Sequence, residues 1–448
     1  MYVKSQVFFV LGISKSGFAA AKYILGNGGE CYIYEELKSP KIDRAIDELT
    51  GMGAMRVSKE SEDEAIDASD VLVISPGVPI NHGIAIKFKE AGKRIVGEAE
   101  FGFSQFFPPT IAVTGTNGKT TTVTLIDGIF REAGQKCVAV GNIGVPVCEK
   151  LSEIERDTVC VAEISSFQLE SMSDFKPHIA CITNISPDHL ERHYTMENYI
   201  YLKRRLLKNL KESEYAVLNY DDATVKSFAE GHKAETVWVS VREKVSGAYF
   251  SEGRLYFDDE PITTLGETAI RGEHNVYNAL FAVAAAKIMG INNESIVSAL
   301  KNFKGVPHRV ELVAEKRGVR YFDDSKATNT ASAITAIHSM TSPTILILGG
   351  SEKGEKYEEL FEAIKLSEVK HTVITGASRF NMFEAAGKCG VSAVTVTGDF
   401  RSAVKIADMF AEEGDSVLLS PACASFDSFG SFEERGETFV KLVEECRN

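Results

Sequence analysis

The chain has 448 residues, 44% of them hydrophobic and 25% charged, with a formal net charge of −14. That length suffices for about three globular domains, and the acidic balance argues against a broad surface for nucleic acid or anionic membrane. Eight cysteines are scattered with no CxxC and no His/Cys metal spacing, the usage expected of structural thiols in a reducing cytoplasm.

Residues 1–98 read as a small Rossmann-like α/β unit. The apolar run Val7–Leu11 is too short for a signal peptide and is followed by Ser14-Lys15, so it predicts a first strand. No apolar run is long enough to span a bilayer. The strand leads into Gly12-Ile-Ser-Lys-Ser-Gly17 and an Ala-rich helix over Phe18–Leu25. Cys31–Tyr34 ends in Glu35-Glu36, and Val71–Ile74 ends in Ser75-Pro76-Gly77. Ser14 stands where a GxGxxG turn has its middle glycine, which argues against a dinucleotide. The helix start then either holds a phosphate-bearing ligand or is a tight turn without one. Glu35 lies where such folds place an acid for a ribose hydroxyl, with an ordinary loop glutamate as the alternative.

Residues 99–306 read as a central mononucleotide-binding domain. An amphipathic piece, Glu98–Phe107, ends in Pro108-Pro109 and marks the seam. Ile111–Val113 predicts a buried strand, followed by Gly115-Thr-Asn-Gly118-Lys119-Thr120 and an amphipathic helix. These are the parts of a polyphosphate cradle. Backbone N–H groups and the helix start face the phosphates, Lys119 neutralises charge, and Thr120 offers a hydroxyl to Mg²⁺. Two residues separate Gly115 from Gly118, where the full Walker A pattern has four.

Three later strand ends carry polar groups. Asn142 follows Cys137–Val140, Glu163 and Ser165 end the strand from Val159, and Asp188-His189 follow Ile179–Ile185. In an α/β sheet such ends face the ligand crevice. Glu163 is therefore a candidate Mg²⁺ ligand, or else a surface acid capping the next helix, and His189 a candidate for metal or substrate. The helix predicted over Met196–Leu210 carries Lys203-Arg204-Arg205, by itself a solvated charged face. Asn275 and Asn278 share a face at the start of an Ala-rich helix and suit an adenine edge. Trp238 reads as core.

Residues 307–448 read as a third, doubly wound domain. Tyr321-Phe322 runs into Asp323-Asp324-Ser-Lys326, and Thr344–Leu348 into a Gly-rich loop with Lys353. Strand His371–Ile374 runs into Thr375-Gly376, and Ser416–Leu419 into Ser420-Pro-Ala-Cys423-Ala-Ser425. Lys326 and Lys353 suit a carboxylate-rich substrate. Cys423 has no base beside it and reads as a structural small residue. The fold class is thus α/β in three domains: Rossmann-like, P-loop mononucleotide-binding, and Rossmann-like again.

Seven runs together carry a resemblance: Gly115–Thr120, Glu163–Glu170, Asp188–Arg192, His274–Asn278, Pro307–Arg309, Asp324–Asn329 and Ser420–Ser425. With them the chain resembles, essentially end to end, the Mur ligases of peptidoglycan synthesis. The last two runs resemble the branch that adds D-glutamate. The resemblance implies a cytoplasmic, monomeric enzyme that uses ATP and two Mg²⁺ ions. The L-Ala carboxylate of UDP-N-acetylmuramoyl-L-alanine would take the γ-phosphate, and the amine of D-glutamate would attack the acyl phosphate to give an amide, ADP and phosphate.

The resemblance also implies roles for individual residues. Lys119, Glu163, His189 and Lys203 would be catalytic. Thr120 and Glu163 would hold the first metal and His189 the second, joined by a carbamylated Lys203 that is identified by its spacing from Tyr199. ATP would lie on Gly115, Thr116, Asn117, Gly118, Lys119, Thr120, Thr121, Asn275, Asn278, Arg309 and Asp324. The UDP-substrate would lie on Ser14, Lys15, Ser16, Glu35, Ser75, Pro76, Gly77, Asn142, Ser165, Gln168 and His189. D-Glutamate would be received by Lys326, Thr328, Lys353, Ser425, Phe426 and Phe432. The chain departs from the family at Glu35-Glu36, where members often carry Asp-x-Arg, and at Asp323, which replaces a common Asn with little consequence expected. Two other readings stand beside this one. A nucleotide-binding regulator would not need Lys326, Lys353 and Ser425 on strand ends. A folylpolyglutamate synthase would lack the roughly hundred residues that precede the phosphate loop here.

Overall fold

The computed structural model describes residues 3–106, 108–351 and 356–446. The chain divides into two units, Met1–Phe303 and Lys304–Asn448, and three sheets organise it. The first is parallel and five-stranded, in the order Met55–Arg56, Glu30–Tyr34, Val7–Leu11, Val71–Ile74, Arg94–Gly97. Reversal of the order on either side of Val7–Leu11 makes a crevice at its C-terminal end. There the chain turns at Gly12 into the helix Lys15–Gly26, which starts three residues before the predicted Phe18.

The central sheet has nine strands. Six neighbours run parallel from Cys137–Gly141 through Val159–Glu163, Thr110–Thr114, Ile179–Ile182, Tyr215–Asn219 and Glu235–Ser240 to a seventh, Gly247–Ser251. An antiparallel pair, Arg254–Phe257 and Glu260–Thr264, completes the edge. Strand Thr110–Thr114 shows how its sequence fits the position. Ile111 and Val113 pack on the helices Lys119–Glu132 and Glu273–Ile288, against Ile126, Phe130 and Phe281. Ala112 points the other way, in register with Ala162 and Ala180. That row of three alanines lets Leu169, Leu206 and Leu207 come close to the sheet. Burial of each such large side chain contributes about 1.5–3 kcal/mol.

The third sheet lies wholly in the C-terminal unit, in the order Glu311–Lys316, Val319–Asp323, Ser416–Leu419, Thr344–Gly349, Val369–Thr375, Val394–Val396. Only its first pair is antiparallel. Among the described residues no helix is long and apolar enough to cross a membrane, and all eight cysteines are free thiols.

Two expectations change. The helix predicted over Met196–Leu210 is α-helical only over Met196–Arg204 and tightens to a 3₁₀ turn at Arg205–Leu207. Of its charge run only Arg204 is exposed. Lys203 is buried, Arg204 donates to the Glu230 carbonyl, and Arg205 to the carbonyls of Glu170 and Met172. Trp238 is half-buried at the margin of the core, edge-on to Tyr220 with ring centroids 5.3 Å apart. Short elements such as Met55–Arg56 and Gly247–Ser251 escaped the sequence reading because too few residues carry a period.

Candidate functional site

The loop 115–120 is set by close approach. Gly115 has φ +142° and Gly118 φ +83°; a Cβ on the first would sit 2.0 Å from Thr183 Oγ1, and on the second 2.3 Å from Asn278 Oδ1. Only glycine fits both the backbone and the space. Residues after the neighbouring strand hold the loop: Thr116 N donates to Asn184 O (2.8 Å) and Asn117 N to Asn184 Oδ1 (2.9 Å). Thr183 Oγ1 donates to Asn117 O (2.7 Å), and Thr116 Oγ1 is 3.0 Å from the Tyr199 hydroxyl. Thr183 and Asn184 were missed by the sequence reading, although they are polar residues at a strand end like those it used.

Helix Lys119–Glu132 begins at Gly118 with no side-chain cap, so its first amides and dipole face the loop. Lys119 Nζ folds onto the carbonyls of Gly115 (3.0 Å) and Thr116 (2.7 Å). Thr120 Oγ1 donates to Glu163 Oε2 (2.7 Å), and Asn142 Nδ2 to Glu163 Oε1 (2.7 Å). This brings together three residues read separately from three strand ends. A hydroxyl beside a carboxylate is a hard oxygen donor pair of the kind Mg²⁺ takes.

Lys203 is 2% exposed. Its Nζ donates to Gly115 O (2.9 Å) and Thr114 Oγ1 (3.2 Å) and lies 5.3 Å from the centre of the Tyr199 ring. Burial first, then the charge of Lys119, pushes its ammonium well below the ordinary lysine range, against the pull of Asp188 and Glu163. Lys203 is buried and its neighbour Arg204 exposed. His189 is left-handed, φ 54°, and its ring lies tilted against Phe167, with ring centroids 4.8 Å apart. Its ring nitrogens lie 3.6 Å from Asp188 and 3.5 Å from Glu191. Ser165 and Gln168 form a reciprocal cap on the helix Ser166–Ser171, so the capping role weighed for Glu163 falls to Ser165. Asn278 donates to Asn275 Oδ1 (3.1 Å) and accepts from Thr122 (3.3 Å), which brings the adenine candidates against the phosphate-loop helix.

In the first sheet, helix Lys15–Gly26 starts at Ser14, whose side chain makes no cap bond, and Ser14 and Lys15 are exposed. The buried Ser75 hydroxyl finds no hydrogen-bond partner among the described residues. Glu35 is occupied: its two oxygens accept from the amides of Ile13 (2.6 Å) and Leu37 (2.8 Å), a brace for the loop.

In the C-terminal unit, Asp324 is buried, accepts from Ser420 Oγ (2.7 Å) and Val310 N (3.3 Å), and is pushed up to about 7 by burial against the pull of Arg309. Arg309 Nε is buried without a partner among the described residues. Asp323 has a larger consequence than expected: fully buried, it sits 2.7 Å from His308 Nδ1 and accepts from Ser325 N (2.8 Å). With Glu311 these two make the one trio of His, Cys or carboxylate side chains among the described residues whose ligand atoms lie within 4.8 Å of one another. Glu163 and His189 belong to no such trio. The stretch carries strain, since His308 (φ 61°) and Val310 (φ 45°) are both left-handed.

Lys326 lies over the Phe432 ring at 5.2 Å, Thr328 N bonds the Lys326 carbonyl, and Ser425 is buried while Phe426 is exposed. Lys353 lies outside the described residues. Sequence reasoning missed Arg435. It is 1% exposed and donates to Ser325 Oγ (2.9 Å), Ser325 O (2.8 Å), Cys423 O (3.0 Å) and Ala424 O (3.2 Å), tying two of the strand-end loops together. An arginine in an amphipathic C-terminal helix gives no sign of facing inward. Cys423 is buried between Tyr357 OH and Ser378 Oγ, the structural role read from the sequence.

A parallel sheet feeding a short Gly-rich loop, with a carboxylate on the adjoining strand end, and a further doubly wound unit in the same chain, is the architecture of a nucleotide-dependent enzyme. Residues 113–286 match the model of the Mur ligase middle domain, and 308–423 that of the Mur ligase glutamate ligase domain. The chain is 39% identical over 451 residues to a UDP-N-acetylmuramoylalanine–D-glutamate ligase of Caldanaerobacter subterraneus subsp. tengcongensis, covering all of both chains. It is 38% identical over 448 residues to one of Clostridioides difficile, covering 99% of each. Among solved structures, the fold resembles the UDP-N-acetylmuramate-alanine ligase MurC of Thermotoga maritima (TM-score 0.63, 17% identity, 99% and 100% of the two chains covered). It also resembles the MurF ligase of that organism in complex with ADP (TM-score 0.62, 15% identity, all of both chains covered). The chain belongs to the Mur ligase family.

Proposed function

We propose that this chain is an ATP-dependent ligase that joins D-glutamate to UDP-N-acetylmuramoyl-L-alanine, releasing ADP and phosphate, in the cytoplasmic stage of peptidoglycan precursor synthesis. The observation that carries the reading is the end-to-end match to relatives of that name.

The geometry supports the chemistry. A carboxylate is a poor electrophile, and taking a phosphoryl group supplies a leaving group for attack by the amine. Charge on the transferring group must be met by fixed donors. The amides at Gly118–Thr120 and the Lys119 ammonium would meet it, with Lys119 leaving its present carbonyl partners for phosphate oxygens. Thr120 and Glu163 fit a Mg²⁺ ion, which when bound adds charge neutralisation at the phosphates. His189 and Lys203 fit a second ion only if Lys203 is carbamylated. Burial favours the uncharged amine that adds to CO₂ and loses one proton. Asn275 and Asn278 would take adenine, and Arg309 and Asp324 the rest of the nucleotide. The start of helix Lys15–Gly26, with Ser75, would take the diphosphate of the UDP-substrate, and Lys326, Thr328, Ser425 and Phe432 would receive D-glutamate, with Phe426 and Lys353 as further candidates. An assay of ADP release with the UDP-substrate and D-glutamate, L-glutamate, L-alanine or diaminopimelate tests the reading. Turnover is expected with D-glutamate, and a product with any of the others overturns it.

A further inference from the structure

The run Asp188–Arg192 leaves its last member without a task. Arg192 comes from the central domain, and its guanidinium is only 16% exposed. Nε donates to Glu170 Oε1 (3.0 Å) and Nη2 to Glu170 Oε2 (2.7 Å), a bidentate pair. The same guanidinium reaches into the first domain, where Nη2 donates to Val78 O (3.0 Å) and Nη1 to Gly77 O (3.4 Å). The Phe167 ring lies beneath it at 5.1 Å. Glu170 is steadied in turn by His193, whose Nδ1 is 3.4 Å away and whose Nε2 is 2.9 Å from Ser166 Oγ. Serine, histidine and carboxylate here have the order of a nucleophilic relay. Ser166 is 3% exposed, however, and has no room for an acyl group. The chain is a brace, and its far end is Arg192.

The backbone that Arg192 grips follows Ser75, the buried hydroxyl without a partner. The loop also packs on the turn that starts the first helix: a Cβ on Gly12 would lie 2.8 Å from Val78 Cγ2 and 2.9 Å from Ser75 Cβ. One cation therefore ties the helix carrying Ser165 and Gln168 to the loop beside the uncapped start of helix Lys15–Gly26. We propose that Arg192, held by Glu170, is a positioning residue for the nucleotide-sugar substrate. It fixes the 75–78 loop so that Ser75 and the helix start meet the diphosphate, and so sets where the substrate's carboxylate arrives relative to loop 115–120.

The inference rests on the ligation reading, and the test separates the two. Steady-state kinetics of Arg192→Ala should raise KM for the UDP-substrate at least about tenfold, lower kcat by no more than about threefold and leave KM for ATP and D-glutamate unchanged. Arg192→Lys should recover only part of the loss, because a point charge cannot make the fork to Glu170 and reach both carbonyls. Glu170→Gln should fall between wild type and Arg192→Ala. Calorimetry with uridine diphosphate on the free enzyme needs no turnover and should show the same order of affinities. An unchanged KM for the UDP-substrate, or a loss confined to kcat, overturns the proposal. So does an equal rise in all three KM values with a lowered Tm, the mark of a merely structural contact. Wild-type enzyme that binds uridine diphosphate but fails to join the two substrates would overturn the ligation reading and leave the calorimetric comparison to decide the role of Arg192.

Discussion

The phosphate loop and the strand-end cluster of the C-terminal unit both rest on cations, and they use them in opposite ways. At the loop, Lys119 and Lys203 converge on the carbonyls of Gly115 and Thr116, and the charge of one helps expel the proton of the other. Under the proposed function that arrangement would be completed by a phosphate group or by carbamylation of Lys203. In the C-terminal unit, Arg435 gives its donors to three carbonyls and a hydroxyl, which organises the loops rather than awaiting a ligand. The difference lies in how the donors are spent: Arg435 makes four bonds to neutral partners in two loops, whereas Lys203 makes two, both to residues 114 and 115.

The comparison breaks most visibly at Lys119. Lys119→Ala is expected to lower substrate-dependent ADP release by about 10³-fold or more, and undiminished turnover would remove the phosphate loop from the mechanism. Lys203→Ala should cost about 10²-fold and recover in part when formate or acetate is added. A variant indifferent to these carboxylates would return Lys203 to a structural role like that of Arg435. Arg435→Met should act on stability instead. The orphaned carbonyls should lower the unfolding free energy of the C-terminal unit by about 3 kcal/mol, read from urea melts, while nucleotide affinity holds. Gly118→Ala forces a side chain into a left-handed position against Asn278. It should weaken nucleotide binding by an amount equivalent to about 1–2 kcal/mol, measured by titration calorimetry.

The smallest effect concerns pH. Glu98 in the first unit is 1% exposed, and burial pushes its carboxyl up to about 7. Asp324 in the second unit is raised to about 7 as well. A carboxyl whose folded pKa exceeds its unfolded value holds more protons when folded, so stability declines as pH rises from about 4–5 to about 7 and is level above that. Glu98→Gln should flatten that slope in urea melts taken between about pH 5 and 8. Asp324→Asn should do so at least as much, because its carboxyl is raised to the same level from a lower starting point, 3.8 against 4.5.

Much of this site was legible because strand ends in parallel sheets collect function. Glu163, Asn142 and Thr120 were read from separate runs, and the register of neighbouring strands brings them within hydrogen-bonding distance. What escaped reading was orientation. Nothing in Lys203-Arg204-Arg205 says that one side chain is buried and two reach backbone carbonyls, because helical phase relative to the core is set by packing against residues far away in sequence. Arg435 and Asp323 escaped for the same reason, since burial of a charge depends on Ser325, 110 residues off, as well as on a nearby loop for the arginine, and on a left-handed histidine for the aspartate.

The left-handed Val310 has a consequence for the arginine beside it. A β-branched residue in that conformation stores about 1–3 kcal/mol, and here the turn is held by the Val310 amide on Asp324 and by the His308–Asp323 pair on either side of Arg309. Replacement by glycine would relax the backbone and give up the side chain's packing against the core of the C-terminal unit. A valine there trades backbone ease for that packing and for the placement of Arg309.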